Sequence, residues 1–471
     1  MKSKHLKWLA VILAVLMLSA AFGCSGGEAT SSGDMQSAAE STSSAEADSS
    51  NGDAASGEKV DLTFMTIFVE TDAASDIATG AKYARINDFL ADHPEVNFVN
   101  NSIPQTDYNT KIKAIIASDD LPDIWSIRGF AMGLAAIDAD RLHTADDLLS
   151  KIDGWKESFS DGVFDDFLYK DQYWAIPVQL QGCSYLFLNM DIMKELGFEK
   201  APATWDELVA AIKAAKDAGY VPLCTGNKDK YPIADCVASW INDRYCTSDW
   251  HISMREVKGA RWTDQCFVDA LKAFDELVQL DAFNEDANSL DQDQGQAYYA
   301  NKQSPMFFSG AWGCEWIEGN CSEEIINATV CALPPEIPGT PGAQNGAAGG
   351  GGWGYCVTKS VEGAKLDTAC ELLYYLTDEG YTEASLERGY GRYPGKTPEG
   401  ADTSKIGPIS KQYLDSIPST TWTPDYTVLT EPTTLEVYQN VYQELMVGTI
   451  TPEEGAKKID DAYQMYIDSM G

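Results

Sequence analysis

Residues 60–69 read VDLTFMTIFV, residues 96–100 VNFVN and residues 123–127 DIWSI, and the order of these three apolar runs decides the fold. Each is short and rich in β-branched or aromatic residues, the composition of a strand. Residues 83–92 between the first two runs have helical character. Residues 108–118 between the last two place Ile112, Ile115 and Ile116 on one helical face. The alternation predicts an α/β fold with a mainly parallel sheet and helices on both its faces. Ligands of such sheets sit beyond the carboxyl ends of the strands. Glu70, Asp72, Trp125 and Arg128 stand at those ends and are the first candidate ligand-binding residues.

Further along, Thr204-Trp205-Asp206-Glu207 predicts a capping box, opening a helix that buries Leu208, Ile212 and Ala215 and stops at Gly219. Thr451-Pro452-Glu453-Glu454 repeats the signature with proline at the first helical position, and Ile459, Tyr463 and Tyr466 then share one side. Residues 334–352 (PPEIPGTPGAQNGAAGGGG) predict a long Pro/Gly loop. The GGGGWG run at 349–354 lacks the GK[ST] of a phosphate cradle and is expected to be a flexible approach to a strand.

A chain of 471 residues exceeds one ordinary domain, so two lobes are expected, and 44% hydrophobic residues supply their cores. Acids outnumber bases 72 to 34, a net charge of −38. Such a surface repels phosphate backbones, which argues against nucleic acid as a partner. Aromatic residues (12 Trp, 22 Tyr, 16 Phe) dwarf the 4 His, favouring a stacking surface over a metal or histidine-based catalytic site.

Lys2, Lys4 and Lys7 head an apolar run over residues 8–23, shorter than the ~20 residues a spanning helix needs. It ends in Ala21-Phe22-Gly23-Cys24, which resembles the bacterial lipobox, with Ala21 where leucine is usual. Cleavage there would leave Cys24 as a lipid-modified first residue. It would remove three lysines and no acid, deepening the charge to 31 − 72 = −41. Residues 25–58 hold ten Ser, seven acids, no base and no aromatic, too little apolar surface to repay ordering; a flexible tether is expected.

Other chemistries fit poorly. The set Asp286, Asn288, Asp291 and Asp293 fails the EF-hand spacing and reads as a solvated helix entry. Past the leader only His93, His143 and His251 remain, without HExxH or GxSxG, so no catalytic residue, metal or cofactor is assigned. Ten cysteines follow Cys24, none at zinc-finger spacing; export would permit disulfides, with connectivity open. The tryptophans say more. Trp312 follows an apolar strand and a glycine turn, Trp353 closes the glycine run, and Trp240 and Trp316 are similar in kind. An indole beside polar neighbours suits the C–H face of a sugar ring.

Five stretches, in order, resemble the bacterial extracellular solute-binding proteins of family 1, the sugar-binding lipoproteins of ABC importers. They are 89–100 with 108–124 (FLADHPEVNFVN, YNTKIKAIIASDDLPDI); 174–189 (WAIPVQLQGCSYLFLN, with Leu188 where Tyr is usual); and 197–219 (GFEKAPATWDELVAAIKAAKDAG, the most specific). The last two are 297–312 (AYYANKQSPMFFSGAW, departing at Gln303 and Ser304) and 349–358 with 369–376. The resemblance implies a two-lobed periplasmic-binding-protein fold, each lobe a mainly parallel sheet flanked by helices, with a hinge between. It places the lobes at 59–178 with 334–384, and at 179–333 with 385–471. It carries ligand contacts onto Glu70, Asp72, Arg128, Gln181, Tyr231, Trp312, Arg392 and Tyr393.

A non-enzymatic receptor is thus expected, binding a mono- or oligosaccharide between its lobes and delivering it to the transmembrane subunits of an ABC permease. It would be an exported monomer, lipid-anchored to the outer face of the bacterial cytoplasmic membrane. Two other readings compete: a glycan hydrolase using paired carboxylates, and a binding protein for a peptide or other polar solute.

Overall fold

The computed structural model describes residues 59–470; the leader, Cys24 and the tether lie outside them. In chain order the strands are β1 (Val60–Met65), β2 (Val96–Asn100), β3 (Ile124–Arg128), β4 (Leu168–Tyr169), β5 (Gln172–Tyr173), β6 (Ile176–Pro177) and β7 (Gln181–Gly182). After them come β8 (Tyr185–Asn189), β9 (Met306–Ser309), β10 (Thr329–Ala332), β11 (Gly346–Gly350), β12 (Trp353–Val357) and β13 (Thr421–Thr423).

The opening series folds in the predicted order, with β1 ending at Met65, short of the end of its apolar run at Val69. Helices Ile77–Asp92 and Gln105–Ser118 link β1, β2 and β3, and β1 pairs in parallel with both other strands, Val60 opposite Val96 and Phe64 opposite Ile124. The sheet continues in the order β2-β1-β3-β12-β6. β12 runs antiparallel to β3 with Trp353 opposite Arg128, so it begins where β1 and β3 end. The first four residues of β3 and all five of β12 are buried, as a sheet covered on both faces requires.

The expectation of a mainly parallel sheet in each lobe fails in the second sheet, β10-β8-β9, where both pairings are antiparallel. Helices Trp312–Asn320 and Glu323–Ala328 carry the chain from β9 back to β10 in the same direction, leaving a gap that β8 fills running the other way. β8 shows the period-two rule: Leu186 and Leu188 face one core, Tyr185 and Phe187 another.

Helix Trp205–Asp217 buries Trp205, Leu208, Val209, Ala211, Ile212 and Ala215 along one stripe. Each large aliphatic side chain there contributes about 2 kcal/mol of burial. Thr204 Oγ1 accepts the Glu207 amide at 3.3 Å, while Glu207 reaches back to the amide of Ala203 at 2.6 Å, one residue earlier than a standard box. At Thr451 the box closes reciprocally on Glu454.

The glycine run forms the end of β11, the turn into β12 and the start of β12, in place of the expected flexible approach. β11 is buried throughout and lies between β13 and β7. A Cβ on Gly350 would stand 2.7 Å from Asp166 Oδ2, so glycine makes room for a buried carboxylate that accepts the Gly352 amide at 2.8 Å. Val428 and Leu429, late in the chain, pack into the core of the first sheet. The ten cysteines from Cys183 to Cys370 are free thiols, and no described helix is long and apolar enough to cross a membrane.

Candidate functional site

A cavity of about 280 Å³ opens at the carboxyl ends of β1 and β3. One wall comes from the first sheet and its helices: Ile67 and Phe68 beyond β1, Asp76 and Ala78 at a helix start, Gln105, Arg128 ending β3, and Trp353 beginning β12. The facing wall holds Gln179, Gln181, Tyr231, Asp235, Gln292, Trp312 and Arg392.

Two aromatic side chains of the facing wall are held by one amide. Tyr231 Oη donates to Gln292 Oε1 at 2.7 Å, Trp312 Nε1 donates to the same oxygen at 3.0 Å, and Gln292 Nε2 donates to Ser309 Oγ at 3.2 Å. The rings stand edge to face, 6.4 Å apart. Close backbone approach brings Gln292 there. Asp291 caps helix Gln292–Ala300 in a full capping box, and Gly295 abuts the loop before Tyr231 so closely that a Cβ would lie 2.0 Å from Gly226 N. Asp291 thus serves as the helix entry its sequence suggested. Across the cavity Trp353 is braced edge-on by Tyr108 at 5.9 Å, whose hydroxyl donates to Ser126 O at 2.6 Å.

Both guanidiniums of the cavity are paired with carboxylates of the protein. Arg128 Nη2 donates to Asp235 Oδ2 and, at 3.2 Å, to Thr427 Oγ1, with Asp425 Oδ2 at 3.6 Å. Burial disfavours the Arg128 charge, but Asp235 and Asp425 outweigh it and hold the guanidinium above its ordinary pKa. Burial pushes the Asp235 carboxyl upward, against the pull of Arg128. Arg392 Nε donates to Glu315 Oε1 at 3.0 Å and Nη1 to Gln181 Oε1 at 3.3 Å, above the Tyr390 ring. Tyr390 in turn donates to Gln179 Oε1 at 3.1 Å. The result is a polar lining whose side chains hold one another by hydrogen bonds and ion pairs.

Behind Phe68 lies Lys82, wholly buried, its Nζ 4.0 Å from the Phe68 ring centre and donating to Tyr381 Oη at 2.8 Å. Burial, helped by the charge of Arg392 and opposed by Asp76, lowers this amine to about 7.

Of the residues singled out in the sequence, the cavity gathers Arg128, Gln181, Tyr231, Trp312, Trp353 and Arg392. Six do not reach it, among them Trp316, which stands edge to face with Phe307 at 6.4 Å. Glu70 and Asp72 form an exposed 3-10 turn, and the nearby acid that does line the cavity is Asp76, whose Oδ1 accepts the Thr79 amide at 2.6 Å. Trp125 is fully buried and donates to Thr358 Oγ1 at 3.2 Å, because it sits inside β3 and not at its end. Trp240 is equally buried, stacked on Phe308 at 5.6 Å beneath the second sheet. Tyr393 turns away, sharing its hydroxyl with Thr397 at 2.6 Å beside a separate cavity with Leu180, Ile406 and Leu414.

Sequence reasoning missed Phe68, Asp76, Gln105, Gln179, Asp235 and Gln292. Two had a usable signal. Gln179 lies two residues before Gln181 on an extended segment, hence on the same side, and Asp235 lies one helical turn after Tyr231. Asp235 falls in a π-helical turn, Ala234–Ala238, a distortion frequent at functional sites that sequence does not announce. Gln292 is delivered by tertiary contact alone.

No cluster of three or more His, Cys, Asp or Glu able to hold a metal occurs among the described residues. His251 is buried, its imidazole lowered to about 3 by burial, and it lines a different cavity. What the site offers is aromatic faces, amides, and guanidiniums paired with carboxylates of the protein.

The sequence profile of the family described as "Bacterial extracellular solute-binding protein" matches residues 71–383. A probable sugar-binding periplasmic protein of Mesorhizobium japonicum is 28% identical over 123 residues, 26% of this chain and 28% of that protein. One of the same description from Rhizobium meliloti is 23% identical over 212 residues, 44% of this chain and 48% of the relative. The chain therefore spans under half the length of these curated relatives. Among solved structures, a chitin oligosaccharide binding protein superposes with TM-score 0.76 at 22% identity, covering 87% of this chain and 99% of that one. A structure from work on xylan utilization by the thermophilic bacterium Caldanaerobius polysaccharolyticus gives TM-score 0.73 at 23% identity, covering 85% and 99%. These likenesses establish the two-lobed fold.

Proposed function

We propose that this chain, which belongs to the bacterial extracellular solute-binding protein family, is a carbohydrate receptor of an ABC importer that captures a mono- or oligosaccharide in the cavity at the carboxyl ends of β1 and β3. The observation that carries this reading is the meeting, in one cavity, of the aromatic side chains Trp312, Tyr231 and Trp353 with the amides Gln105, Gln179, Gln181 and Gln292. Aromatic faces take the C–H surface of a sugar ring, and amides supply both donors and acceptors to its hydroxyls. The cavity volume, about 280 Å³, lies at the low end of small-molecule pockets. The names of the curated relatives, sugar-binding periplasmic proteins, support the ligand class.

The lobes, at 59–178 with 334–384 and at 179–333 with 385–471, close about their hinge on the ligand and present the closed form to the permease. Closure needs contacts made only in the closed state, since a ligand equal toward both states shifts nothing. Cys24 anchors the exported monomer by lipid to the outer face of the cytoplasmic membrane, and residues 25–58 tether it.

Binding without turnover is the expected behaviour. A glycosidase needs one carboxyl free to donate a proton and another free to attack or activate water; here Asp235 and Asp425 share Arg128, and Asp76 caps a helix. The test is a thermal-shift and tryptophan-fluorescence screen of the soluble form, residues 25–471, against a sugar panel, with reducing ends assayed in parallel. Stabilisation by a sugar without new reducing ends is the expected result. Release of reducing ends, or stabilisation by peptides alone, would overturn the reading.

A further inference from the structure

Asp235 is the one cavity-lining carboxylate that is wholly buried; Asp76, the other, is exposed. Asp235 Oδ2 is bound by Arg128, and Oδ1 has no partner among the described residues. The adjacent Thr427 hydroxyl donates to Asp425 Oδ1 at 2.9 Å. A buried acceptor without a donor is costly unless something supplies one. Each cavity guanidinium already holds a carboxylate of the protein, Arg128 holding Asp235 with Asp425 nearby and Arg392 holding Glu315.

From this arrangement we infer that Asp235 is a specificity-determining residue, accepting a ligand hydroxyl on Oδ1 and excluding sugars that carry a carboxylate. The inference rests on the sugar-receptor reading and narrows it to uncharged sugars. Two effects act together. A sugar hydroxyl satisfies Oδ1 and keeps the internal ion pairs intact. A uronate carboxylate has no proton to give at neutral pH and meets a like charge where burial has removed the screening. The π-helical turn Ala234–Ala238 fixes Asp235 in this position, and the Ser184 hydroxyl donates to its carbonyl oxygen at 3.1 Å.

The experiment measures dissociation constants by titration calorimetry for matched pairs: glucose against glucuronate, galactose against galacturonate, and the di- to tetrasaccharides of each. The native protein is expected to bind a neutral member at least 30-fold more tightly than its acidic partner. Asp235→Asn, which keeps the shape and removes the charge, should shrink that ratio to about fivefold or less, whereas Asp76→Asn should change it less than threefold. Asp235→Ser takes its place if the asparagine variant does not fold. Acidic members bound as tightly as neutral ones by the native protein would overturn the inference and leave the sugar reading standing. So would an undiminished ratio in both Asp235 variants, or an equal collapse in Asp76→Asn. Binding of no member of any pair would sink the sugar reading and this inference together.

Discussion

Trp125 and Trp353 stand on neighbouring strands of one sheet, yet they serve different regions of the molecule. Trp353 lies opposite Arg128, three residues further along β3 than Trp125, a distance of about 10 Å. Over that interval the environment changes from a sealed core, where the Trp125 indole finds Thr358, to the cavity wall shared by Trp353 and Arg128. Trp240 and Trp312 repeat the contrast around the second sheet, one stacked on Phe308 in the core and one hydrogen-bonded to Gln292 at the cavity. Residue type does not separate core from site; position within the element does.

Substitutions can break this division, taken here in order of the stability change expected. Trp240→Ala should cost about 3–5 kcal/mol in chemical denaturation, the range for emptying a buried aromatic site. A loss below 1 kcal/mol would mean Trp240 is not the core residue its burial indicates. Arg128→Met should cost a similar or slightly smaller amount, because Asp235 and Asp425 would lose the cation between them. It should also remove sugar binding, and melts with and without sugar separate the two losses.

Lys82→Met tests the polar region behind the cavity. The folded amine sits at about 7 against an ordinary 10.5, so between those values the unfolded chain holds a proton the folded chain has shed. Raising the pH through that window therefore stabilises the native protein, and below about 7 the cost of burying the charge is borne in full. Melting temperatures at pH 7 and pH 9 should show the native protein gaining relative to Lys82→Met; parallel curves would refute the shift.

Trp312→Ala should lower the stability of the free protein by less than about 1 kcal/mol, since the side chain is only half-buried. It should weaken sugar binding at least tenfold in calorimetry. A large loss of stability would move Trp312 into the core class and erase the contrast with Trp240. Smallest of all, Glu70→Ala and Asp72→Ala, on an exposed turn, should change both stability and binding by under about 0.5 kcal/mol.

The βαβαβ opening was legible because its three strands are continuous apolar runs and its helices carry a helical stripe; β2 matches its expected bounds, and β3 differs by one residue. The cap at Thr204 was legible because a cap is a local device, spanning four residues. The direction of β8 was not, since its partners β9 and β10 arrive more than a hundred residues later. Nor was the buried course of β11, whose glycines read as flexible until Asp166 is seen to need their space. In the site, Arg128 and Trp312 were found because each ends or follows a strand. Asp235 and Gln292 were missed because a π-helical turn and a contact between distant backbones bring them in.

By itself the sequence determined the alternation of elements, the first sheet, the helix caps and the aromatic character of the site, all of which follow from spacing and residue chemistry over short range. Only the tertiary structure decided which tryptophans face the cavity, which acids are paired, and that one oxygen of Asp235 is buried without a partner among the described residues. Those outcomes depend on burial and on partners remote in the chain, and a linear pattern carries neither.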